Sequence, residues 1–301
     1  MELYLITGFL GAGKTTFLRQ FVRCFEGKRF RVIVNEFGKV GVDGALLQEL
    51  GGTISEISNG SIFCVCRVDK FEEELQRALE ARPDVVFVEA SGLADPTSVA
   101  TILGQPEFSQ IDYRGSVCLV DTPRLERVIH TARACPKQLA VSSLVLLNKT
   151  DLASEDQIQG AKEAVRQWNP TAVIRETQFG AFEEGWLADI HPMGGEPFPE
   201  TPDIQLQKTL LKLDPSMTVD QLTSALRMMA EDTWRIKGVA VLEGKRLLVD
   251  CVGPLVRVAP TEVDSDSENR LVLLAGQGMS LRKTVKRAMQ WYPNLMEEVL
   301  G

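Results

Sequence analysis

No apolar run in the 301-residue chain approaches the roughly 20 residues that a membrane-spanning helix needs. The N-terminus enters an apolar strand directly, without the basic leader or small-residue cleavage site of a secretory signal, so the expected location is the cytoplasm. Positive charge is not in excess: 33 Lys and Arg stand against 41 Asp and Glu, a net charge of −8. That balance argues against a general nucleic-acid binder, whose affinity comes from neutralising phosphates. The excess acid is local. Residues 201–301 hold 13 acidic and 13 basic side chains, so the first 200 residues carry the whole −8. An acidic first half suits a handler of cations or basic partners, and equally the ordinary need for solubility.

Imidazoles and thiols are sparse. The two histidines are His130 and His191, and there are six cysteines. In a reducing compartment the cysteines stay unpaired, and their spacing matters more than their number. Cys24, Cys118, Cys135 and Cys251 lie in or beside apolar runs and read as small buried hydrophobes. Only Cys64 and Cys66 are close together. Two thiolates do not make a zinc site, which almost always takes four ligands, so the pair reads either as part of a metal site or as two loop thiols.

What is present begins at residue 8. Gly8-Phe9-Leu10-Gly11-Ala12-Gly13-Lys14-Thr15-Thr16 fits G-x-x-x-x-G-K-[ST], a loop whose backbone N–H groups cradle a nucleotide's phosphates. Leu3 to Thr7 before it reads as a buried strand, and Phe17, Leu18, Phe21 and Val22 after it recur at helical spacing. Strand, loop and helix follow in the required order, with the helix's positive end where phosphates would sit. Gly8, Gly11 and Gly13 admit backbone conformations that a Cβ blocks, and Ala12 completes the loop. Lys14 is expected to reach the outer phosphates, Thr15 to bind Mg²⁺ and Thr16 to lie near the inner phosphate.

Further strands end in polar groups. Phe30 to Asn35 leads into Glu36-Phe37-Gly38 and on to Asp43, a glycine-spaced loop where an α/β sheet presents function. Val85 to Val88 is a continuous apolar strand ending in Glu89-Ala90-Ser91-Gly92. It is laid out like a Walker B and switch junction, in which the acid (Glu89) holds Mg²⁺ and the glycine (Gly92) senses the γ-phosphate. Leu144 to Leu147 is followed by Asn148-Lys149-Thr150-Asp151. At a strand end that string selects guanine: the Asp151 carboxylate accepts from the ring N–H and exocyclic amine, a donor pair adenine lacks. Lys149 would pack along the base and Asn148 would tie the loop. Thr177, in Glu176-Thr177-Gln178-Phe179-Gly180, is assigned where the chain closes over the base. One helix is expected over 124–134 and another over 154–168.

Around residues 181–203 glycines and prolines mark a connector. This divides the chain into a nucleotide-binding domain over 1–180 and a smaller α+β domain over 204–301. In the latter, 239–242 and 246–251 form a hairpin, 255–259 is expected to pair with 270–275 across an acidic tip, and a basic helix covers 280–291. The fold class predicted is α/β, a mostly parallel helix-covered sheet followed by that α+β unit.

Together these motifs resemble the CobW-type GTPases, a branch of the SIMIBI P-loop class that includes metallochaperones. The pieces are Thr7 to Thr16, Asn35-Glu36-Phe37-Gly38 with Gly41 and Asp43, Glu89-Ala90-Ser91-Gly92, Asn148-Lys149-Thr150-Asp151 and Arg235-Ile236-Lys237-Gly238. The resemblance implies a Mg²⁺-dependent, slow GTPase whose GTP/GDP state controls delivery of a metal, zinc or cobalt, or of a metallocofactor such as cobalamin, to a client metalloprotein, and a second copy of the chain is a candidate partner. Lys14, Thr15, Glu89 and Gly92 would carry the attack of water on the γ-phosphate. The family's Cys-x-Cys-Cys is altered here: Ser61, Ile62, Phe63 and Cys64 stand at its place, with Cys66 two residues on. Glu36, Cys64 and Cys66 are the remaining transition-metal ligands. Two alternatives stand beside delivery: a switch that regulates or repairs a client, for instance a corrinoid-dependent enzyme, without carrying metal, and a nucleotide-binding module that barely hydrolyses.

Overall fold

The computed structural model describes residues 1–35, 52–57, 68–193, 207–262, 268–276 and 279–299. Glu36, Asp43, Cys64 and Cys66, with the loop and the short helix expected over 36–50, lie outside them. The chain forms two compact units, Met1–Thr201 and Pro202–Gly301.

The first unit is a seven-stranded sheet in the order β3-β2-β4-β1-β5-β6-β7, parallel throughout. Its strands are β1 (Glu2–Thr7), β2 (Phe30–Asn35), β3 (Gly52–Ile57), β4 (Val85–Glu89), β5 (Asp112–Asp121), β6 (Leu144–Asn148) and β7 (Val173–Glu176). All five residues of β4 and all five of β6 are buried, as a sheet covered on both faces requires. Alternation along β1 divides the core. Tyr4 and Ile6 join Phe17, Phe21, Phe25, Phe87 and Phe30 on one face; Leu3 and Leu5 join Ile33, Phe71, Leu75, Val86 and Val88 on the other. Helix α1 (Lys14–Phe21) seats Phe17 and Phe21 in the aromatic face, with ring centroids 5.4 Å from Phe21 to Phe87 and 4.8 Å from Phe21 to Phe182. Phe21 is fully buried; truncating such a ring to Ala destabilises by about 3–5 kcal/mol.

β1 is the point where successive strands begin to be laid on opposite sides: β2 and β4 lie to one side of it, β5 to β7 to the other. Ligands of open α/β sheets bind beyond the carboxyl ends of strands at such a point. The covering helices are α1, α2 (Val68–Ala81), α3 (Val99–Leu103), α4 (Leu125–Thr131), α5 (Ala134–Ala140) and α6 (Glu155–Trp168). The single helix expected over 124–134 is α4 alone. It ends where Ala132 leaves the helical region (φ −115°, ψ 99°), and α5 starts anew. α6 opens with a reciprocal capping box between Ser154 and Gln157. Residues of the expected connector belong to this unit: Phe182, Trp186, Leu187 and Ile190 pack on the aromatic face.

The second unit is a six-stranded antiparallel sheet, β11-β10-β9-β12-β8-β13, made of β8 (Gln207–Leu213), β9 (Arg235–Leu242), β10 (Lys245–Val252), β11 (Leu255–Pro260), β12 (Arg270–Ala275) and β13 (Met296–Val299). α7 (Val219–Ala230) and α8 (Leu281–Trp291) supply Leu222, Leu226 and Val285 to its core. β9 and β10 form the expected hairpin, with Glu243 and Gly244 both left-handed (φ 50° and 71°). The expected pairing of 255–259 with 270–275 does not occur. β11 pairs with β10 through the short Gly253-Pro254 turn, and β12 lies between β9 and β8. The shorter loop closes first because the closure entropy of a tight turn is smaller.

Candidate functional site

The loops leaving β1, β4, β5, β6 and β7 meet at one end of the first sheet. Gly8 has φ +133°, and a Cβ there would sit 2.3 Å from the Leu119 carbonyl oxygen. Gly13, the N-cap of α1, has φ +102°, and its Cβ would fall 2.4 Å from Asn148 Nδ2. Both positions therefore demand glycine for space as well as for backbone conformation. Gly11 is also left-handed, at φ 76°. Lys14, 7% exposed, folds back over this loop and donates to the carbonyls of Gly8 (2.8 Å) and Phe9 (3.3 Å). The Thr15 hydroxyl donates to Glu89 Oε1 at 3.0 Å, so the two groups expected to share Mg²⁺ stand together. Thr16 is exposed on the first turn of α1. Gly92 lies against Leu10, its Cβ position 2.6 Å from the Leu10 nitrogen.

Asn148 is the joint of the site. It is 2% exposed; its Nδ2 donates to the Ala12 carbonyl (2.8 Å), and its Oδ1 accepts from the Gly180 N–H (3.1 Å). The Thr122 hydroxyl donates to its main-chain oxygen at 2.7 Å. One side chain thus ties the phosphate loop to the loop after β7, as its expected tying role requires. Gly180, at φ +66°, leaves no room for a Cβ against the Phe17 nitrogen, 2.6 Å away.

The loops after β6 and β7 are stitched directly, since Thr150 donates its N–H (3.4 Å) and hydroxyl (3.1 Å) to the Thr177 carbonyl. Thr177 is buried, and its own hydroxyl donates to the Ala181 carbonyl at 2.7 Å. It braces the loop, and the exposed residue there is Phe179, at 72%. Asp151 is exposed beside it. Lys149 and Phe179 both hold left-handed backbones (φ 63° and 52°), which cost side-chain-bearing residues about 1–2 kcal/mol each.

Two further residues belong to the site without having been expected. Asp121, buried at the end of β5, accepts from Lys149 Nζ at 2.7 Å and lies 3.8 Å from Arg124. It fixes Lys149 beside the putative base position only through that pair; the available signal was an acid ending an apolar strand, the same signal that marked Glu89. Gln138 of α5, fully buried, donates to Gly92 and Ala94. Cys118, one strand from the phosphate loop, is no nucleophile: burial pushes its thiol up to about 12. Among the described residues no group of three or more His, Cys, Asp and Glu could hold a metal ion, and no helix is long and apolar enough to cross a membrane.

Two family models match the chain: CobW/HypB/UreG, nucleotide-binding domain, over residues 2–176, and Cobalamin synthesis protein cobW C-terminal domain, over residues 207–290. Among curated proteins it is similar to the zinc chaperone CobW of Pseudomonas aeruginosa, 31% identical over 84% of this chain and 80% of that protein. The zinc chaperone CobW of a Sinorhizobium species is 29% identical over 83% of this chain and 84% of its own length. Among solved structures it is similar in fold to the Zn(II)-bound YjiA GTPase of E. coli, at 22% identity and a TM-score of 0.51, covering 97% of this chain and 98% of that one.

Proposed function

The chain belongs to the CobW/HypB/UreG family of P-loop GTPases, and from that premise we propose that it binds GTP with Mg²⁺, hydrolyses it slowly and uses the cycle to deliver zinc to a client metalloprotein. The observation that carries this reading is the convergence of Lys14, Thr15, Glu89 and Asn148 on one glycine loop. Lys14 would exchange its carbonyl partners for phosphate oxygens. Gly11, Ala12, Gly13 and Thr16 would offer backbone and hydroxyl donors to the phosphates at the positive end of α1. Asp151 and Lys149 would hold the guanine, with Asn148 keeping their loop against the phosphate loop.

The Thr15 hydroxyl and the Glu89 carboxylate are hard oxygen donors 3.0 Å apart, the donor chemistry that suits Mg²⁺. They would hold the ion, which supplies neutralisation of phosphate charge. Gly92 would answer to the γ-phosphate, and Lys14 would stabilise charge developing as water attacks. No arginine is placed to assist, so turnover is expected on the order of 10⁻² s⁻¹ or less.

Zinc is the proposed cargo because the similar curated proteins are named zinc chaperones. Glu36, Cys64 and Cys66 would supply three ligands and leave a fourth position open for transfer. Zinc titration in the presence of GTP tests this: sub-micromolar affinity that disappears in a Cys64→Ser, Cys66→Ser double variant supports delivery. Zinc affinity unchanged by the double variant refutes the ligand set. Zinc not bound at all favours the switch without cargo, a reading favoured also by the shortened thiol motif. Calorimetry tests the nucleotide half: Asp151→Asn should lower the preference for GTP over ATP by roughly 10- to 100-fold, the loss of a buried charged hydrogen-bond partner.

A further inference from the structure

α5 holds the loop after β4 with two neighbouring side chains. Gln138, 0% exposed, donates from Nε2 to the carbonyls of Gly92 (3.2 Å) and Ala94 (3.0 Å). Its orientation is fixed by chemistry, because the amide turned over would set Oε1 against two carbonyl oxygens. Lys137 forms an ion pair with Asp95 Oδ2. The other oxygen of Asp95 accepts from the Thr97 N–H (3.1 Å) and hydroxyl (2.6 Å), opening the 3₁₀ turn Pro96–Ser98. The two side chains thus grip successive parts of the segment 92–95.

The same helix end is joined to the strand that feeds the phosphate loop. Ser142 donates to the Gln138 carbonyl (2.8 Å), and its oxygen lies 3.3 Å from Thr7 Oγ1 and 2.8 Å from Ser116 Oγ. Thr7 is the residue before Gly8. On the opposite side, Gly92 is pressed so closely on Leu10 that no Cβ fits. The segment is therefore pinned between the phosphate loop and α5. Gln138 Oε1 is buried with no hydrogen-bond donor among the described residues, an acceptor that a second arrangement of the loop would use.

We infer that Gln138 and Lys137 are positioning residues: they set the Gly92–Asp95 segment at the height where the Gly92 N–H meets the terminal phosphate, and they pass a displacement of that segment on to α5. The inference rests on the GTPase reading above, in which Gly92 answers to the γ-phosphate. GDP lacks that phosphate, so loss of the grip acts on GTP and on turnover and leaves GDP alone. A general loss of structure acts on both nucleotides.

The test compares the full-length wild type with Gln138→Met, which removes both donors at similar volume, and with Lys137→Met, whose half-open position leaves folding untouched. Affinities for GTP and GDP are measured by calorimetry with Mg²⁺, and kcat and KM by phosphate release. For Gln138→Met the GTP-to-GDP affinity ratio and kcat should each fall roughly tenfold, as expected for two lost hydrogen bonds, while GDP affinity stays within about twofold. For Lys137→Met both should fall about two- to threefold, the scale of a partly exposed ion pair. An unchanged ratio and kcat in folded Gln138→Met, or equal losses for GTP and GDP, overturns the inference. If Gln138→Met does not fold, Lys137→Met decides: an unchanged ratio and kcat overturns it. A wild type that neither binds nor hydrolyses GTP refutes the GTPase reading itself and this inference with it, whereas an active wild type with indifferent variants refutes only the inference.

Discussion

Gly13 and Asn148 should be energetically coupled, because the space missing at one is filled by the amide of the other. In Gly13→Ala the new methyl falls 2.4 Å from Asn148 Nδ2, on a backbone at φ +102°. The left-handed conformation alone costs about 1–2 kcal/mol with a Cβ present. Asn148 cannot retreat freely, since it holds the Ala12 carbonyl and the Gly180 N–H at 2.8 and 3.1 Å. Displacing it forfeits two net hydrogen bonds, about 1–3 kcal/mol together, so Gly13→Ala should destabilise by about 2–5 kcal/mol. Asn148→Ala loses the same two bonds and leaves two buried backbone groups unpaired, about 2–4 kcal/mol. In the double variant the clash is gone and the bonds are lost only once. Its destabilisation should therefore fall short of the sum by about 1–3 kcal/mol. Urea titration read by hydrogen exchange of β1 and β6 amides isolates the first unit from the second. Additivity within about 0.5 kcal/mol would show that Asn148 and Gly13 do not share this space.

Other consequences are simpler to measure. Lys14→Ala should reduce GTP hydrolysis by roughly 10²-fold or more, the scale of removing one preorganised positive donor, with phosphate release as the readout; a rate within threefold of wild type refutes its role. At pH 8 in the native state a thiol reagent followed by peptide mass mapping should leave Cys118, Cys135 and Cys251 unmodified. Burial raises all three, Cys118 to about 12 and Cys251 to about 11, so label on any of them before unfolding contradicts the packing. Burial alone would raise the Asp95 carboxyl, but the hydrogen bonds from Lys137 and Thr97 outweigh it and hold the group below its ordinary 3.8. A depressed carboxyl stabilises above its unfolded value and loses that contribution as pH falls through the folded one. Asp95→Asn should therefore be less stable than wild type at neutral pH and converge on it below about pH 4 in thermal melts, and a difference that persists at pH 2 would exclude the ion pair as its source.

The residues that end apolar strands were legible because strand and chemistry coincide in one short string. Glu89 follows four buried residues and meets Thr15, and Asn148 closes β6 and meets Ala12. What escaped notice depends on contacts between distant segments. Asp121 ends a strand in the same way as Glu89, yet only the fold brings Lys149 to it. Gln138 sits in a seven-residue helix with Pro136 in its first turn, a sequence too short and too poorly patterned to separate from α4. Thr177 was read at the base because of its position, whereas its hydroxyl is engaged by the Ala181 carbonyl. The order of β11 and β12 was misread because an acidic stretch looked like a turn, while Gly253-Pro254 made the tighter one. The acid and thiol groups Glu36, Cys64 and Cys66 lie outside the described residues.

Lys149 and Phe179 stand in the same region with backbones turned to the hand that suits glycine, at φ 63° and 52°. Glycine at either place would relax the chain by about 1 kcal/mol. The protein is thus less stable than its own fold permits, at two neighbouring loops that frame the opening where a base would enter. A breeder of thermostable variants would pick these positions first and would lose the side chains that make the opening selective, so robustness and recognition pull in contrary directions there.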